Sequence, residues 1–437
     1  MTDSSIIGKI LITGDLILKS PLLIGDGEGE TSDNFRDIHV LKNQDGVPFI
    51  PGTSLCGVLR DELRNSPLIK KIFGDAEKFQ SAIQIDDIKL DRQKIITRDG
   101  VRIDGLTGTG IDGGKYDYEA VDRGATGKLN MLINLRGFHK NDNIFETIKN
   151  LLGKLESGVR VGALTSKGFG LTAVKNLKAD YYNFTKKADV IAWLTTESAS
   201  EKILPAKKIS DNPADFIVDA QFSFNSSFIV RDYDVDAAEK VKNISAVSLK
   251  SRNEFVIPAT SLKGIFRHRA EYIFSKLGLD EKFLDKLMGT STGNTKIKSR
   301  FIVAESYVKS ENVDAVEHTR NKIDRFTGGT LQGTLFTTKP VYQKVLDAPT
   351  ITIHFEIRNA KDFEAALGIC LLRDLWLGKV AIGGEKSIGR GTVKGLGAKI
   401  NFNGKIYELN GDGKVISGNS AELSKLAASI KNWSDCQ

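Results

Sequence analysis

The sequence predicts an α+β protein made of two tandem ferredoxin-like (RRM-like) domains, each with an inserted β-hairpin thumb. The motif FIPGTSLCGVLRDELR at residues 49–64 recurs as VIPATSLKGIFRHRAE at residues 256–271. The glycine-rich block VGALTSKGFG at residues 161–170 recurs without a gap as IGGEKSIGRG at residues 382–391. Because separate blocks recur in the same order at nearly the same separation, the chain consists of two copies of one repeated unit.

A third match places a half-buried strand at the start of each copy. LILKSPLLIGD at residues 16–26 aligns with FSFNSSFIVRD at residues 222–232, with apolar residues in a period of two. The resulting domain prediction is a first domain at residues 1–180, a connector at 181–215, a second domain at 216–400, and a C-terminal hairpin with a short helix at 401–437.

The next elements of each copy are a short strand and a helix. In the first copy VPFIP leads into Thr53 and Ser54, either of which can cap a helix with the apolar stripe Leu55, Leu59 and Leu63. The remaining elements are a strand, an amphipathic helix near residues 143–157 and a final strand. They complete a β-α-β-β-α-β order, and the second copy repeats it with a helix near residues 362–377.

A long insertion separates the middle strands of each copy. It is rich in glycine, threonine and charge, and RIDGLTG in the first copy matches KIDRFTG in the second. Strand and turn residues with few apolar ones predict an extended β-hairpin that projects from the core. The hairpin is expected around residues 104–118 and again around residues 324–340.

Composition indicates an ordinary soluble protein. The 437 residues are 40% hydrophobic and 27% charged, and no apolar run approaches the roughly 20 residues that span a bilayer. We therefore expect a cytoplasmic protein with no membrane partner. The three cysteines form no CxxC pair, which excludes a thiolate zinc site and fits a reducing compartment. A net charge of +7 permits a polyanionic partner without identifying one.

The glycine-rich blocks are not nucleotide-binding fingerprints. A dinucleotide motif opens a helix, whereas these blocks follow a helix and open a strand. GATGKL is not a P-loop, because Leu129 stands where Ser or Thr must bind magnesium. Two interpretations remain open. Backbone N–H groups can cradle phosphates, or the glycines simply permit tight turns.

Charged residues supply two further candidate groups. Arg60 and Arg267 occupy equivalent helix positions, where a guanidinium can meet a phosphate or form a surface salt bridge. The segment GDGEGETSDNFRD is a predicted surface loop with five acidic residues. The histidines show no HxH or HExxH spacing, but His39 and His268 lie near this loop and the first helix of the second copy, where they can titrate.

IPGTSLCGVLR, IPATSLKGIFR and the later SKGFG and SIGRG loops resemble the RAMP superfamily, the ferredoxin-like RNA-binding subunits of CRISPR effectors. The likeness is closest to the repeated backbone subunit of type III complexes. The doubling resembles the fused two-copy version of type III-D systems. Both copies are covered, whereas the connector and the C-terminal tail are not.

The resemblance implies a subunit that lies along a guide RNA, together with target RNA and other CRISPR effector subunits in a hetero-oligomeric complex. The projecting hairpins would be thumbs that wedge into the guide–target duplex and flip out a base. The first helix and the glycine-rich loop of each copy would hold the RNA backbone. The implied RNA-binding residues are Ser54, Arg60, Ser261, Lys263, Arg267, Lys167, Gly168, Gly170, Gly389, Arg390 and Gly391.

The resemblance also implies a metal-dependent ribonuclease centre. In the family, a loop Asp upstream of the IPG strand is needed to cut target RNA, and its best match here is Asp37, with Asp26 and Asp33 as near alternatives. Asp37 and Asp26 would hold Mg²⁺ or Mn²⁺. A splayed nucleotide can bring its 2′-OH in line with the scissile phosphate, while a carboxylate-held ion neutralises the developing charge.

The two copies differ at this acid. Alignment places Asn243, Ile244 or Ser245 opposite Asp37, whereas Asp232 faces Asp26. We therefore expect the first copy to cut. The second copy either only binds RNA or uses an acid from among Asp232, Asp234 and Asp236.

Three other functions compete with this interpretation. The first is a purely structural RNA-binding backbone. The second is a metal-independent, guide-processing endonuclease that uses His39 or His268. The third is a scaffold with no nucleic-acid partner, which is disfavoured by the combination of basic charge, paired Arg60 and Arg267, and glycine-rich loops.

Overall fold

A computed structural model of the chain describes residues 4–27, 38–91, 95–105, 107–140, 142–206, 212, 214–232, 244–280, 282–290 and 296–436. The chain divides into two compact units. The first comprises residues 1–165 and 169–210, and the second comprises residues 211–437 together with Ser166–Gly168.

The first unit contains one main antiparallel sheet and two separate two-stranded sheets. Its strands are β1 Ile6–Leu18, β2 Phe49–Ile50, β3 Ile83–Ile85, β4 Ile88–Lys89, β5 Ile95–Ile103, β6 Gly110–Val121, β7 Thr126–Arg136, β8 Val159–Arg160, β9 Leu171–Asn183 and β10 Glu201–Lys202. Its helices are α1 Gly52–Glu62, α2 Ile69–Phe73, α3 Ile144–Ser157 and α4 Lys187–Leu194. The sheet order is β10-β9-β1-β7-β3, and these neighbours pair antiparallel.

The second unit repeats this arrangement. Its strands are β11 Phe216–Phe224, β12 Ser227–Phe228, β13 Arg231–Asp232, β14 Ile244–Ser248, β15 Lys250–Ser251, β16 Glu254–Ile257, β17 Phe301–Val303, β18 Ser306–Tyr307, β19 Val313–Ala315, β20 His318–Arg320, β21 Phe336–Lys339, β22 Val341–Gln343, β23 Ile351–Ile357, β24 Val393–Phe402, β25 Lys405–Leu409 and β26 Val415–Ser417. Its helices are α5 Ala259–Leu277, α6 Lys282–Met288, α7 Asp362–Trp376 and α8 Ser420–Ala428. The main sheet runs β17-β23-β11-β24-β25-β26.

Both main sheets place the first strand between the third and the last, with the second strand beside the third. This is the strand order of a ferredoxin-like fold. In the first unit it is β9-β1-β7-β3, and in the second it is β24-β11-β23-β17. The predicted α+β class is therefore confirmed, and the repeated motifs occupy equivalent elements in the two units.

Apolar periodicity explains where each core lies. Ile10, Ile12 and Leu16 alternate along β1 and are completely buried, as are Leu55 and Leu59 on α1. The core of the second unit is richer in aromatic residues. Phe216, Phe222, Phe301 and Phe355 are all fully buried there, and Phe266 of α5 packs against Phe355 with ring centroids 5.2 Å apart.

The start of α1 differs from the sequence-based expectation. We expected Thr53 or Ser54 to cap the helix, but α1 begins at Gly52, directly after Pro51. The backbone N–H of Gly52 donates to Asp87 Oδ1 at 2.8 Å. The first N–H group of the helix is therefore bonded to a carboxylate distant in sequence, and no described local side chain caps the helix.

The middle insertions differ in regularity between the units. In the first unit β5 and β6 pair from Ile95 opposite Val121 to Ile103 opposite Gly110. In the second unit β20 and β21 pair over only three residues, and a bridge joins Ile323 to Thr330 farther out. Among the described residues, no helix is both long and apolar enough to cross a bilayer.

Candidate nucleic-acid interface

The two glycine-rich loops have the same backbone conformation. The φ angles of Gly162, Leu164, Gly168 and Gly170 are 85°, 55°, 87° and 75°, and those of Gly383, Glu385, Gly389 and Gly391 are 82°, 56°, 84° and 81°. Six of these eight positions carry glycine, the residue that adopts positive φ without steric cost. The repeat thus conserves a loop shape as well as a sequence pattern.

The last glycine of each loop has a structural role. Gly170 N donates to Pro21 O and Gly391 N donates to Ser227 O, each at 2.7 Å. A Cβ atom at either glycine would overlap a carbonyl oxygen of its own loop, that of Val161 or Ile382. At these positions the tight-turn interpretation applies, because the N–H groups are already bonded within the fold.

The tip of the second loop is open to solvent. Residues 386–389 are exposed, and a Cβ added to Gly389 would meet nothing within 4 Å. Lys167 lies in the corresponding stretch of the first copy and belongs to the second unit. Burial, followed by the charge of Arg267, lowers the pKa of Lys167. Burial also lowers the pKa of Lys386, but Lys386 is exposed to solvent whereas Lys167 is half-buried.

The paired arginines on the first helices also differ. Arg60 on α1 is exposed. Arg267 on α5 donates from Nη2 to Asp285 at 2.6 Å, from Nε to Glu271 at 2.9 Å and from Nη1 to Gly289 O at 2.8 Å. The Arg267 side chain is 34% exposed, and these three bonds leave two of its five N–H donors for a phosphate. Arg60, which is exposed, is the less constrained of the pair.

Lys263 is not a surface cation. Its side chain is 7% exposed, and Nζ donates to Ser299 Oγ at 2.7 Å and to Ser166 Oγ at 2.9 Å within the second unit. Burial, followed by the charges of Lys167 and Arg267, lowers the pKa of Lys263 to about 7. Ser54 and Ser261, near the starts of α1 and α5, are half-buried.

Arg390 is a structural brace. It is 4% exposed and donates from Nε to Glu385 Oε2 at 2.8 Å. Its Nη1 donates to Ser227 Oγ at 2.6 Å and to Tyr342 Oη at 3.1 Å, while Nη2 lies 3.2 Å from His318 Nδ1. The sequence identified Arg390 as an RNA contact, whereas the structure places its guanidinium inside the fold.

Two arginines that sequence reasoning missed surround the same carboxylate. Glu385 Oε1 accepts from Arg231 Nη2 at 3.0 Å and from Arg320 Nη2 at 2.6 Å. The Glu385 side chain is 4% exposed, against 40% for Arg231 and 26% for Arg320. Burial raises the pKa of Glu385, but its hydrogen bonds from three arginines outweigh this and lower it. We call Arg231, Arg320, Arg390 and Glu385 the arginine cluster.

The ends of the acidic loop are fixed, although residues 28–37, including Asp33 and Asp37, lie outside the described part of the chain. At one end Asp26 N donates to His39 O at 3.3 Å, and Gly25 bridges to Val40. At the other end Glu119 N donates to Ile38 O at 2.8 Å. Residues 25–26 and 38–40 are thus held together beside β6. Asp26 itself is exposed.

Glu119 is a further residue that sequence reasoning missed. Its Oε2 accepts from Val40 N at 3.2 Å and lies 3.6 Å from both His39 Nδ1 and Lys42 Nζ. Partial burial raises the pKa of Glu119, but the Val40 hydrogen bond and the charges of Lys42 and His39 together lower it. His39 is 56% exposed at this position, whereas His268 on α5 is half-buried.

Of the two expected metal ligands, Asp26 lies within the described residues and Asp37 outside them. Among the described residues, which do not include Asp33 and Asp37, no group of three or more His, Cys, Asp or Glu side chains is placed to hold a metal ion. Asp26, the described member of the expected pair, therefore belongs to no such group of described ligands.

Comparison with known protein families gives one match to each copy of the repeat. The model of the RAMP superfamily matches residues 15–173 and residues 211–394, which together make up more than half of the chain. The chain belongs to the RAMP superfamily. No curated protein matches it. Each matched RAMP region corresponds to one ferredoxin-like unit, and membership in the superfamily points to a CRISPR-associated subunit.

Strand register aligns the two RAMP units around the acidic loop. Gly25 faces Val40 in the first unit, and its counterpart Arg231 faces Ser248 in the second. Counting back along the sequence from this pairing aligns Asp37, which lies outside the described residues, with Ser245, one of the three positions expected opposite it. Ser245 Oγ donates to Thr337 O at 3.0 Å, and the pairing of β14 with β21 shifts register between Ile244 and Ala246.

The remaining acids of the second RAMP unit lie on or beyond β13. Asp232 pairs with Val247 of β14 and is half-buried. Asp234 and Asp236 lie outside the described residues.

Proposed function

We propose that this RAMP protein is a guide-RNA-binding backbone subunit of a type III CRISPR effector, in a fused two-copy form like that of type III-D systems. We further propose that its first domain cuts complementary target RNA with a divalent metal ion. The observation that supports the proposal is the repeated RAMP fold, in which residues 38–40, directly after the acid-bearing loop in sequence, lie beside β6 in the first copy. Ser245, which aligns with Asp37 by sequence, is instead a serine bonded to Thr337 O.

Accessible basic groups support binding along an RNA backbone. Arg60 on α1 and the exposed loop tip at residues 386–389 present a guanidinium, an ammonium and a glycine-rich backbone to solvent. A backbone-tracking protein needs such contacts to phosphate and no base-specific ones, because guide pairing supplies the sequence. The net charge of +7 agrees with a polyanionic ligand.

The donor chemistry of the acidic loop fits Mg²⁺ or Mn²⁺, which prefer carboxylate oxygens. Asp26 is exposed at one end of the loop, and Asp37 directly precedes Ile38 at the other. Because Gly25 and Asp26 pair with His39 and Val40, the two carboxylates adjoin segments that the fold holds together. When bound, the ion would neutralise charge that develops on the scissile phosphate.

The neighbouring residues of the chain would position the loop and the target. Glu119 anchors the Val40 end of the loop through its hydrogen bond to the Val40 N–H. The backbone pairing of Ile38 with Tyr118 ties the same end to β6. We propose that the β5–β6 hairpin and residues 321–335 of the second unit act as thumbs that splay the target nucleotide, which would set the 2′-OH in line for cleavage.

The test is cleavage of a labelled RNA complementary to the bound guide, in the assembled complex, with magnesium or EDTA. We expect Asp37→Ala to remove one metal-dependent product and leave RNA binding intact. Asp45→Ala, which removes an exposed acid from a nearby turn, is the matched control and should cut like wild type.

Two other outcomes would change the conclusion. If every product persists in Asp37→Ala, this chain is a non-catalytic scaffold and a neighbouring subunit cuts. His39 lies 3.6 Å from Glu119 and is exposed, so a metal-independent mechanism is testable in the same assay. Cleavage that survives EDTA but is lost in His39→Ala would indicate a guide-processing endonuclease.

A further inference from the structure

We infer that Arg231 and Arg320 of the second unit form a binding site for an RNA phosphodiester, and that Glu385 positions their guanidinium groups for it. The inference rests on the proposed function, since it takes RNA as the ligand. It adds a site at residues that differ between the two copies, although Arg231 and Glu385 lie within repeated blocks. It also assigns this site to the second unit alone.

The charge of the arginine cluster favours an anion. Within the cluster three guanidinium groups surround one carboxylate, that of Glu385, and Arg390, which is buried, contributes its charge from behind the surface. Arg231 and Arg320 are the members with substantial exposure. A phosphodiester that reached these two arginines would meet charge-assisted donors, the strongest class of hydrogen bond available to it.

Arg320 is held in a fixed orientation with donor capacity remaining. Its Nη2 bonds Glu385 and also Thr338 Oγ1 at 3.2 Å, and its guanidinium lies 5.0 Å from the ring centroid of Phe336. Its Nε is unbonded among the described residues but buried, so Nη1, which makes none of these bonds, is the donor left for a phosphate. An arginine with restrained geometry loses less conformational entropy on binding a phosphate than a free surface arginine does.

A buried network fixes Glu385 in turn. Arg390 Nη2 can only donate, so His318 Nδ1 is the acceptor in their contact and the ring hydrogen lies on Nε2, 2.9 Å from Tyr342 Oη. Both nitrogens of His318 are therefore engaged, which makes it a support rather than a base. The network places Arg390 firmly behind Glu385.

The first unit lacks the four charges of the arginine cluster, although Arg98, the counterpart of His318 by strand register, is a buried arginine there. Strand pairing and loop conformation identify the counterparts of Arg231, Arg320, Glu385 and Arg390 as Gly25, Gly100, Leu164 and Phe169. Phe169 belongs instead to a small apolar cluster with Leu23, Ile96, Tyr118 and Ala120. Because the same fold is stable with an apolar cluster here, the charged version is not needed to build the loop.

The first arm of the test measures binding of the full-length protein to a short fluorescein-labelled single-stranded RNA by anisotropy over a range of salt. We expect Arg231→Gln and Arg320→Gln each to weaken binding roughly tenfold and to lower the salt-dependence slope by about 0.7, the value for one lost phosphate contact. Arg358→Gln is the charge-matched control. It removes an arginine paired with Glu356 on β23 and should shift affinity less than about twofold.

The second arm measures RNA binding by Glu385→Gln. A role through net charge and a role in positioning the arginines predict opposite changes in affinity. If the cluster acts only through net charge, removal of a carboxylate tightens RNA binding. If Glu385 positions the arginines, its loss weakens binding even though the protein becomes more positive. We expect weaker binding, by roughly threefold to tenfold. Glu385→Leu, which installs the first-unit residue, is the second variant and should weaken binding in the same way.

The outcomes separate the two levels of inference. Wild-type protein that fails to bind RNA would refute both the proposed function and this site. Wild-type binding with Arg231→Gln and Arg320→Gln indistinguishable from Arg358→Gln would refute the site alone. Tighter binding by Glu385→Gln would refute the positioning role. Circular dichroism and a thermal melt of each variant confirm that it is folded.

Discussion

The buried Lys263 makes the stability of the fold depend on pH. Lys263 occupies the position that Cys56 has in the first copy, and its environment lowers its pKa to about 7 from an ordinary value of 10.5. Between these two pH values the unfolded chain binds a proton that the folded chain does not. The free energy of unfolding should therefore rise, through this group, as pH increases from about 7 to about 10.5.

Lys263→Met tests this linkage, because methionine keeps the length of the side chain and removes the charge. Near pH 7 we expect the variant to be more stable than wild type by ~1–2 kcal/mol, since relief of the buried charge exceeds the loss of the hydrogen bond to Ser299. Near pH 10 the difference should shrink or reverse. Urea denaturation at both pH values measures it.

The matched control for that experiment is Lys286→Met, which removes an exposed lysine from α6. Its stability should follow that of wild type at every pH. A Lys263→Met protein that is less stable than wild type by the same amount throughout the range would show that the lysine is charged and well compensated in the folded state.

At the level of elements, two glycines of the second glycine-rich loop allow the cost of backbone strain to be measured apart from the cost of steric overlap. Gly391 and Gly389 both have positive φ, 81° and 84°. A Cβ at Gly391 would overlap Ile382 O, whereas one at Gly389 would meet open space. We expect Gly391→Ala to lower the free energy of unfolding by ~3 kcal/mol or more, and Gly389→Ala by ~1 kcal/mol.

The measurement is the denaturant midpoint of the two alanine variants relative to wild type. Equal losses would mean that the loop relaxes around the added methyl group, so that positive φ alone determines the cost. The corresponding first-copy variant, Gly170→Ala, should behave like Gly391→Ala, because its Cβ would overlap Val161 O in the same way.

Local patterns predicted elements well and their ends less well. The period-2 run at residues 16–26 falls partly in β1, and the helix expected near residues 143–157 is α3. The predicted start of α1 was wrong. The helix begins at Gly52, whose N–H donates to Asp87, a residue far along the chain. Local patterns carry no information about such partners.

The arginine cluster was missed for the same physical reason. Arg231, Arg320 and Glu385 lie on three separate segments, and the parallel pairing of β14 with β21 helps to bring the first two together. Comparison of the copies selects residues that both share. It therefore identified the loop glycines and the paired Arg60 and Arg267, and it passed over charges that only one copy has.

For the whole molecule, the structure shows one fold whose two copies carry different charged side chains at equivalent strands. In the first unit the segment after the acidic loop contacts an acid, Glu119, beside His39 and Lys42. In the second unit the register places Lys339 where the first has Glu119, and the arginine cluster lies nearby. Under the proposed function, the copy that cuts and the copy that only binds RNA would share strand order and loop shape and differ in a few side chains.

This division of roles predicts that the second unit can be converted. Ser245 aligns with Asp37 by counting along the sequence from the strand pairing, so Ser245→Asp places a carboxylate at the aligned position. In the assembled complex we expect one additional magnesium-dependent product, formed more slowly than the first-unit product because Lys339 replaces Glu119. In a Ser245→Asp, Asp37→Ala double variant only the new product should remain.

Ser245→Asn is the control, since an amide can still donate to Thr337 O but adds no charge. It should give no new product. If Ser245→Asp assembles and binds RNA yet also yields none, a carboxylate at this position is insufficient. The first unit would then need the surroundings that distinguish it, Glu119 with His39 and Lys42, and Glu119→Gln should reduce cleavage without reducing RNA binding.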